Sequence, residues 1–124
     1  MALDPALQAR FGAALAYTSQ LLGGLVTEKE SNPSIASSGV GTVGVDGNGD
    51  RVGLAMVNTG GVDLFLTTTA QSAGSTMGIR LVANGGFVSF DCTRDFTLPS
   101  RRWYALAASS TGALYVLEMI RDIK

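Results

Sequence analysis

The sequence predicts a mainly β fold: an antiparallel β-sandwich or jelly-roll-like barrel of about seven strands, with one N-terminal α-helix. Three observations predict it. Short alternating or wholly apolar runs recur from residue 40 to residue 121. Glycine-rich turn segments separate them, and the one helical periodicity lies ahead of Gly24. A chain of 124 residues is expected to form one domain, with a core that stands without disulfides or metal.

Asp4 is a good N-cap, Pro5 suits the first helical position, and Gly23-Gly24 ends the pattern. Leu7, Phe11, Leu15, Thr18 and Leu22 fall on one stripe, and Pro5 to Leu22 would span about 27 Å. Arg10 is the only charge within it. A helix that is apolar or alanine nearly all round is buried on more than one side. Two occupants of its faces are open: the domain's own core, or copies of the chain or another protein. Residues 1–26 are therefore read as a docking or oligomerisation segment.

Residues 27–39 are polar, contain Pro33 and show neither period, so they read as an extended linker or arm. The β domain is expected over 40–124. Its strand-like runs are Val40–Val45, Arg51–Asn58, Val62–Thr69, Met77–Ala83, Phe87–Cys92, Trp103–Ala108 and Ala113–Arg121. Asn58-Thr59-Gly60-Gly61 and Ala83-Asn84-Gly85-Gly86 look like tight connections between neighbouring antiparallel strands. Leu114–Ile120 is apolar on both faces except at Glu118, as expected of a central strand.

Charged residues make up 15% of the chain, against about 25% in ordinary soluble domains. From Val52 to Phe90 only Asp63 and Arg80 carry charge. A surface so poor in charge is expected to be covered by neighbours in a homo-oligomer or larger assembly. Gly53, Ala55, Val57, Phe65 and Val82 would lie opposite the core-facing set and meet that neighbour. The net charge of −1 gives no electrostatic case for nucleic acid or an anionic membrane. The first nine residues hold no Lys or Arg, and no run approaches the roughly 18 apolar residues of a membrane helix. A chain made and soluble in a cytoplasm is expected.

The chain has no histidine and one cysteine, Cys92. Cys-His and Ser-His-Asp catalysis are thereby excluded, as are an intramolecular disulfide and histidine-based zinc binding. Cys92 is expected to be a buried structural thiol. Among enzymatic options only a carboxylate pair stays open, and none stands out. Asp46-Gly47-Asn48-Gly49-Asp50 opens like a calcium loop, but Arg51 and Val57 occupy the glycine and bidentate glutamate positions, so it reads as a turn. Gly39–Gly44 matches GxGxxG as a string, without the preceding strand and following helix that a dinucleotide needs. No catalytic, cofactor-binding or metal-binding residue is predicted.

Arg94, Asp95, Arg101 and Arg102, next to Trp103 and Tyr104, form the one charge cluster beside aromatics. It reads as a polar contact patch or as a solvated loop with Trp103 in the core. The partner-docking residues predicted are Leu7, Phe11, Leu15 and Leu22 on the helix, with Arg101, Arg102 and Trp103 as a second patch.

The segments RVGLAMVNTGGVDLFL, MGIRLVANGGFVSF, RRWYALAAS and ALYVLEMI share a pattern of strands and turns. Over about residues 51–120 the chain resembles small accessory structural proteins of tailed bacteriophages. The resemblance implies a virion β-sandwich of the capsid decoration or cement kind, commonly trimeric and made in the host cytoplasm. Its partners would be itself and the major capsid protein or another virion protein, and its place the capsid surface. A neck, tail or baseplate adaptor is the alternative it leaves open. A carbohydrate- or receptor-binding β module is a reading of a different class, with only Trp103 and three tyrosines to offer a sugar.

Overall fold

A computed structural model describes residues 25–39, 41–72 and 74–122 of the chain. The expected helix, with Leu7, Phe11, Leu15 and Leu22, lies outside the described residues.

Among the described residues the chain is mainly β. Its elements are β1 (Leu25–Ser31), β2 (Ser34–Ile35), β3 (Thr42–Val45), β4 (Arg51–Asn58), β5 (Leu64–Thr67) and β6 (Ile79–Leu81), followed by β7 (Phe87–Asp91), α1 (Cys92–Asp95), a 3-10 turn (Leu98–Ser100), β8 (Trp103–Ala107) and β9 (Gly112–Asp122). Two antiparallel sheets result. The larger runs β1-β9-β4-β7 with β2 also on β9, and the smaller runs β3-β8-β5-β6. Each of the seven expected runs contains a strand. No ladder joins the two sheets among the described residues, so the barrel alternative is corrected to two open sheets.

Within the expected linker of residues 27–39, those up to Ile35 are not a linker. They are extended, but β1 and β2 are built into the larger sheet as its edge. One register with β9 holds from Leu25↔Asp122 through Ser31↔Val116 to Ile35↔Gly112. Pro33 interrupts the strand and not the register, because its carbonyl accepts from the Leu114 N–H at 3.2 Å and no N–H of its own is needed. The segment is polar because an edge strand keeps one side open to water.

The pairing is nested. With β1 and β2 taken as one edge, the first strand pairs with the last, β3 with β8, β4 with β7 and β5 with β6. The chain is thus one long antiparallel ribbon closed at the 68–78 loop. Pairing of β9 with β4 and of β8 with β5 completes the sheets. Gly78 makes the tip possible. At φ +98 a Cβ there would sit 2.1 Å from the Leu66 carbonyl oxygen.

The segments Asn58-Thr59-Gly60-Gly61 and Ala83-Asn84-Gly85-Gly86 reverse the chain as expected, but neither joins neighbouring strands. Both cross between sheets, from β4 to β5 and from β6 to β7. Turn chemistry fixes a reversal and leaves the pairing partner to tertiary contacts. The crossings bond to each other: Asn58 N–H to the Gly86 carbonyl at 2.8 Å, Gly85 N–H to the Asn58 carbonyl at 2.8 Å, and Asn84 N–H to the Gly60 carbonyl at 2.9 Å. The fully buried Asn58 side chain ties them further. Its Nδ2 donates to the carbonyls of Val62 and Leu81 at 2.8 and 2.9 Å, and its Oδ1 accepts from Gly60 N–H at 3.0 Å.

One core lies between the sheets. Leu54, Met56, Leu114 and Val116 enter it from the larger sheet, and Leu64, Leu66, Leu81 and Ala105 from the smaller. Each buried aliphatic side chain of this size contributes roughly 1.5–3 kcal/mol.

Candidate contact surface

The outward faces of the two sheets differ. On the smaller sheet Phe65 and Leu106 are in register and point away from the core, yet both are buried. The 68–78 loop lies against this face: Gln71 Nε2 donates to the Phe65 carbonyl at 2.8 Å, and Gly74 to Thr76 share a cavity wall with Phe65. Phe65 was expected to meet a neighbour, and its neighbour is its own chain. Val82 stays exposed.

Among the described residues the outward face of the larger sheet is half-buried, with Phe87 exposed at one end. Its rows follow from the registers: Phe87–Val57–Tyr115, then Ser89–Ala55–Leu117–Glu30, then Asp91–Gly53–Met119–Glu28. Phe87 is 73% exposed, and Gly53, Ala55 and Val57 are half-buried. A groove of about 280 Å3 runs over Gly53, Ala55, Leu117 and Met119, with Arg94 on its wall. Glu28 and Glu30 flank it along β1 as exposed carboxylates. The Tyr115 hydroxyl has its pKa raised, first by its hydrogen bond to Glu30, then by burial and the negative charges beside it.

Trp103 does not join the docking patch; the ring is core. It is 4% exposed, stacks on Phe90 with centroids 5.1 Å apart, and donates from Nε1 to the Leu98 carbonyl at 3.0 Å. Strand alternation explains this, since Trp103, Ala105 and Ala107 share the inward face of β8. Arg101 and Arg102 are exposed at the start of that strand. Arg102 faces Asp46 at 3.4 Å, and Arg101 Nε meets Thr97 Oγ1 at 3.4 Å.

Arg94 and Asp95 belong to α1 and pair at 3.0 Å. The Arg94 guanidinium holds the Asp95 carboxyl below the usual carboxylate range. Asp91 caps the helix, accepting from Thr93 and Arg94 N–H at 3.0 Å each, and the Thr93 hydroxyl leads the causes that lower its pKa.

The exposed aromatic of this corner is Phe96, at 83%. Its backbone sits at φ 57, ψ −113, and Thr97 follows at φ −91, ψ −5. These are the two central positions of a type II′ turn, whose first position is ordinarily glycine. Sequence reasoning passed over Phe96, because a lone phenylalanine between polar residues reads as core.

Beneath this corner Arg51 is buried with Glu118, at 2.7 Å. Its remaining donors reach the carbonyls of Pro99 at 2.6 Å, Asp46 at 2.7 and 2.8 Å, and Arg101 at 2.9 Å. One guanidinium thus fixes the 46–50 turn and the 98–101 segment that presents Arg101 and Arg102. The signal was Glu118, the one charge in an apolar strand.

The 46–50 segment is a turn closed by Arg51 N–H to the Asn48 carbonyl at 3.1 Å and Asp50 N–H to Asn48 Oδ1 at 2.9 Å. Cys92, expected to be buried, is a half-buried free thiol opening α1. Among the described residues no three His, Cys, Asp or Glu side chains gather as a metal site would require. No described helix is long and apolar enough to cross a membrane. Compared with protein-family models, curated protein sequences and solved structures, the chain matches none of them.

Proposed function

We propose that the protein is a non-enzymatic virion structural component, a capsid decoration or cement protein of a tailed bacteriophage that adheres to the head lattice and to copies of itself. The observation that carries the reading is the apolar outward face of the larger sheet, where Phe87 is exposed and Val57, Leu117 and Met119 are half-buried among the described residues. An apolar sheet face left uncovered marks an interaction surface. The residue pattern over 51–120 supports the same reading. So does the nested pairing: we read the two sheets as a jelly-roll sandwich, an architecture used in viral capsid domains and in lectins.

Adhesion of this kind gains strength from repetition, since many weak contacts on one lattice act as a multivalent array. Leu7, Phe11, Leu15 and Leu22 would supply a second contact, to the major capsid protein, and Arg101 and Arg102 a polar one. The test is the protein composition of purified phage particles that carry the gene. A decoration protein is present in fixed proportion to the major capsid protein, and heads lacking it rupture more readily on heating. A few copies per particle favour the neck, tail or baseplate instead, and absence from the particle overturns the virion reading. In the full chain, Phe11→Asp with Leu15→Asp is expected to reduce cosedimentation with heads; unchanged occupancy removes the helix from the mechanism.

A further inference from the structure

We propose that Phe96 and Arg101 form a knob that seats in the outward groove of the larger sheet of a second copy of this chain. Phe96 holds a position that glycine occupies without strain, and its ring is 83% exposed. A side chain so placed gains little from its own fold; strained positions of this sort collect at contact sites. Arg101, also exposed, meets no carboxylate among the described residues; its guanidinium reaches only Thr97 Oγ1, at 3.4 Å. Phe96 and Arg101 lie on either side of the 98–100 turn, and Arg51 holds the carbonyls of Pro99 and Arg101 there.

The groove supplies the complement. Gly53 leaves its floor open: a Cβ there would press on Met119 Cβ and Cγ at 3.1 Å. Ala55, Leu117 and Met119 make the rest apolar, within about 280 Å3. The charges beside it divide into committed and available. Arg94 is paired with Asp95, and Asp91 caps α1. Glu30 already accepts from the Tyr115 hydroxyl, and Glu28, in register with Met119 and exposed, is the available negative charge beside the groove. An aromatic ring flanked by a cation thus meets an apolar groove flanked by a carboxylate, the pairing of aromatic and arginine anchors with a desolvated pocket found at interface centres. Each copy offers one knob and one groove, so a reciprocal two-fold pair uses both at once and a head-to-tail contact uses them in succession.

No particle is needed for this contact, so its failure leaves the virion reading to its own test. The experiment is analytical ultracentrifugation of the full-length protein over about a hundredfold range of concentration. Self-association is expected in the native chain. Phe96→Gly is expected to raise the thermal midpoint at dilutions where the protein is monomeric, while weakening association about tenfold or more. Arg101→Glu is expected to weaken association likewise, and an equimolar mixture with the Glu28→Arg variant to restore it. A native chain that stays monomeric throughout overturns the proposal. So does an oligomer that Phe96→Gly and Arg101→Glu leave unchanged, which would mean that residues 1–24 or a different protein cover the groove.

Discussion

Arg51 and Glu118 meet at 2.7 Å with their side chains 0% and 6% exposed, in the one core that both sheets share. The pair does more than neutralise itself. Arg51 bonds three carbonyls from two loops, so those loops take their positions from one buried cation.

Removing either partner is expected to destabilise the fold severely. Glu118→Gln leaves an uncompensated buried guanidinium, and Arg51→Met strands the carboxylate and the carbonyls of Asp46, Pro99 and Arg101. Each is expected to cost about 3–5 kcal/mol. The double variant Arg51→Met, Glu118→Leu should cost clearly less than the sum of the two single losses. Denaturant titration followed by Trp103, the sole tryptophan, measures all three. Additive losses would show that the pair acts as two separate anchors.

Asn58 uses both ends of its amide: Oδ1 and Nδ2 close its own crossing at Gly60 and Val62, and Nδ2 also ties that crossing to Leu81 at the end of β6. Asn58→Ala orphans the Val62 and Leu81 carbonyls and the Gly60 N–H together. A loss of roughly 2–4 kcal/mol is expected, larger than for an ordinary polar-to-alanine change. Hydrogen exchange should quicken first at Asn84 and Gly85 N–H, whose acceptors lie on the Asn58 crossing. Loosening confined to β4 would contradict the linkage.

Acid should weaken the fold through carboxylates on loops and caps. Asp63 is held below the usual range first by its hydrogen bond from Arg80, then by the Ala83 N–H; Asp91 and Asp95 are lowered by partners around α1. Folded values below the unfolded value of about 3.9 mean that the unfolded chain binds more protons as pH falls. Their contribution is complete above about pH 5 and is lost as pH drops below 4 through the folded values. Asp63→Asn is expected to lower the thermal midpoint at neutral pH and to flatten its fall below pH 4. A variant that keeps the full acid slope would assign that slope to other groups.

Much of the fold is legible in the residues. Val62, Leu64 and Leu66 alternate, and so do Ile79 and Leu81; the turns at 58–61 and 84–86 carry the glycines a reversal needs. Glu118 in an apolar strand announced a buried charge without naming Arg51. The candidate contact surface was half legible. Gly53, Ala55 and Val57 were readable as an outward face, whereas Phe65 was lost to a loop and Trp103 to the core.

The sequence by itself determined the β class, the positions of the strands from β3 to β9, the reversals, and the poverty of charge. These rest on local periodicity and backbone preference, which act within a few residues. Only the tertiary structure decided which sheet each strand joins, that the turns at 58–61 and 83–86 cross between sheets, and that β1 and β2 make an edge strand. It also decided that Phe96 stands exposed and Trp103 is buried. The physical reason is that a period of two assigns a side chain to a face but not to a partner. Partners are chosen by pairings between residues as far apart as Leu25 and Asp122, whose only link is the folded chain.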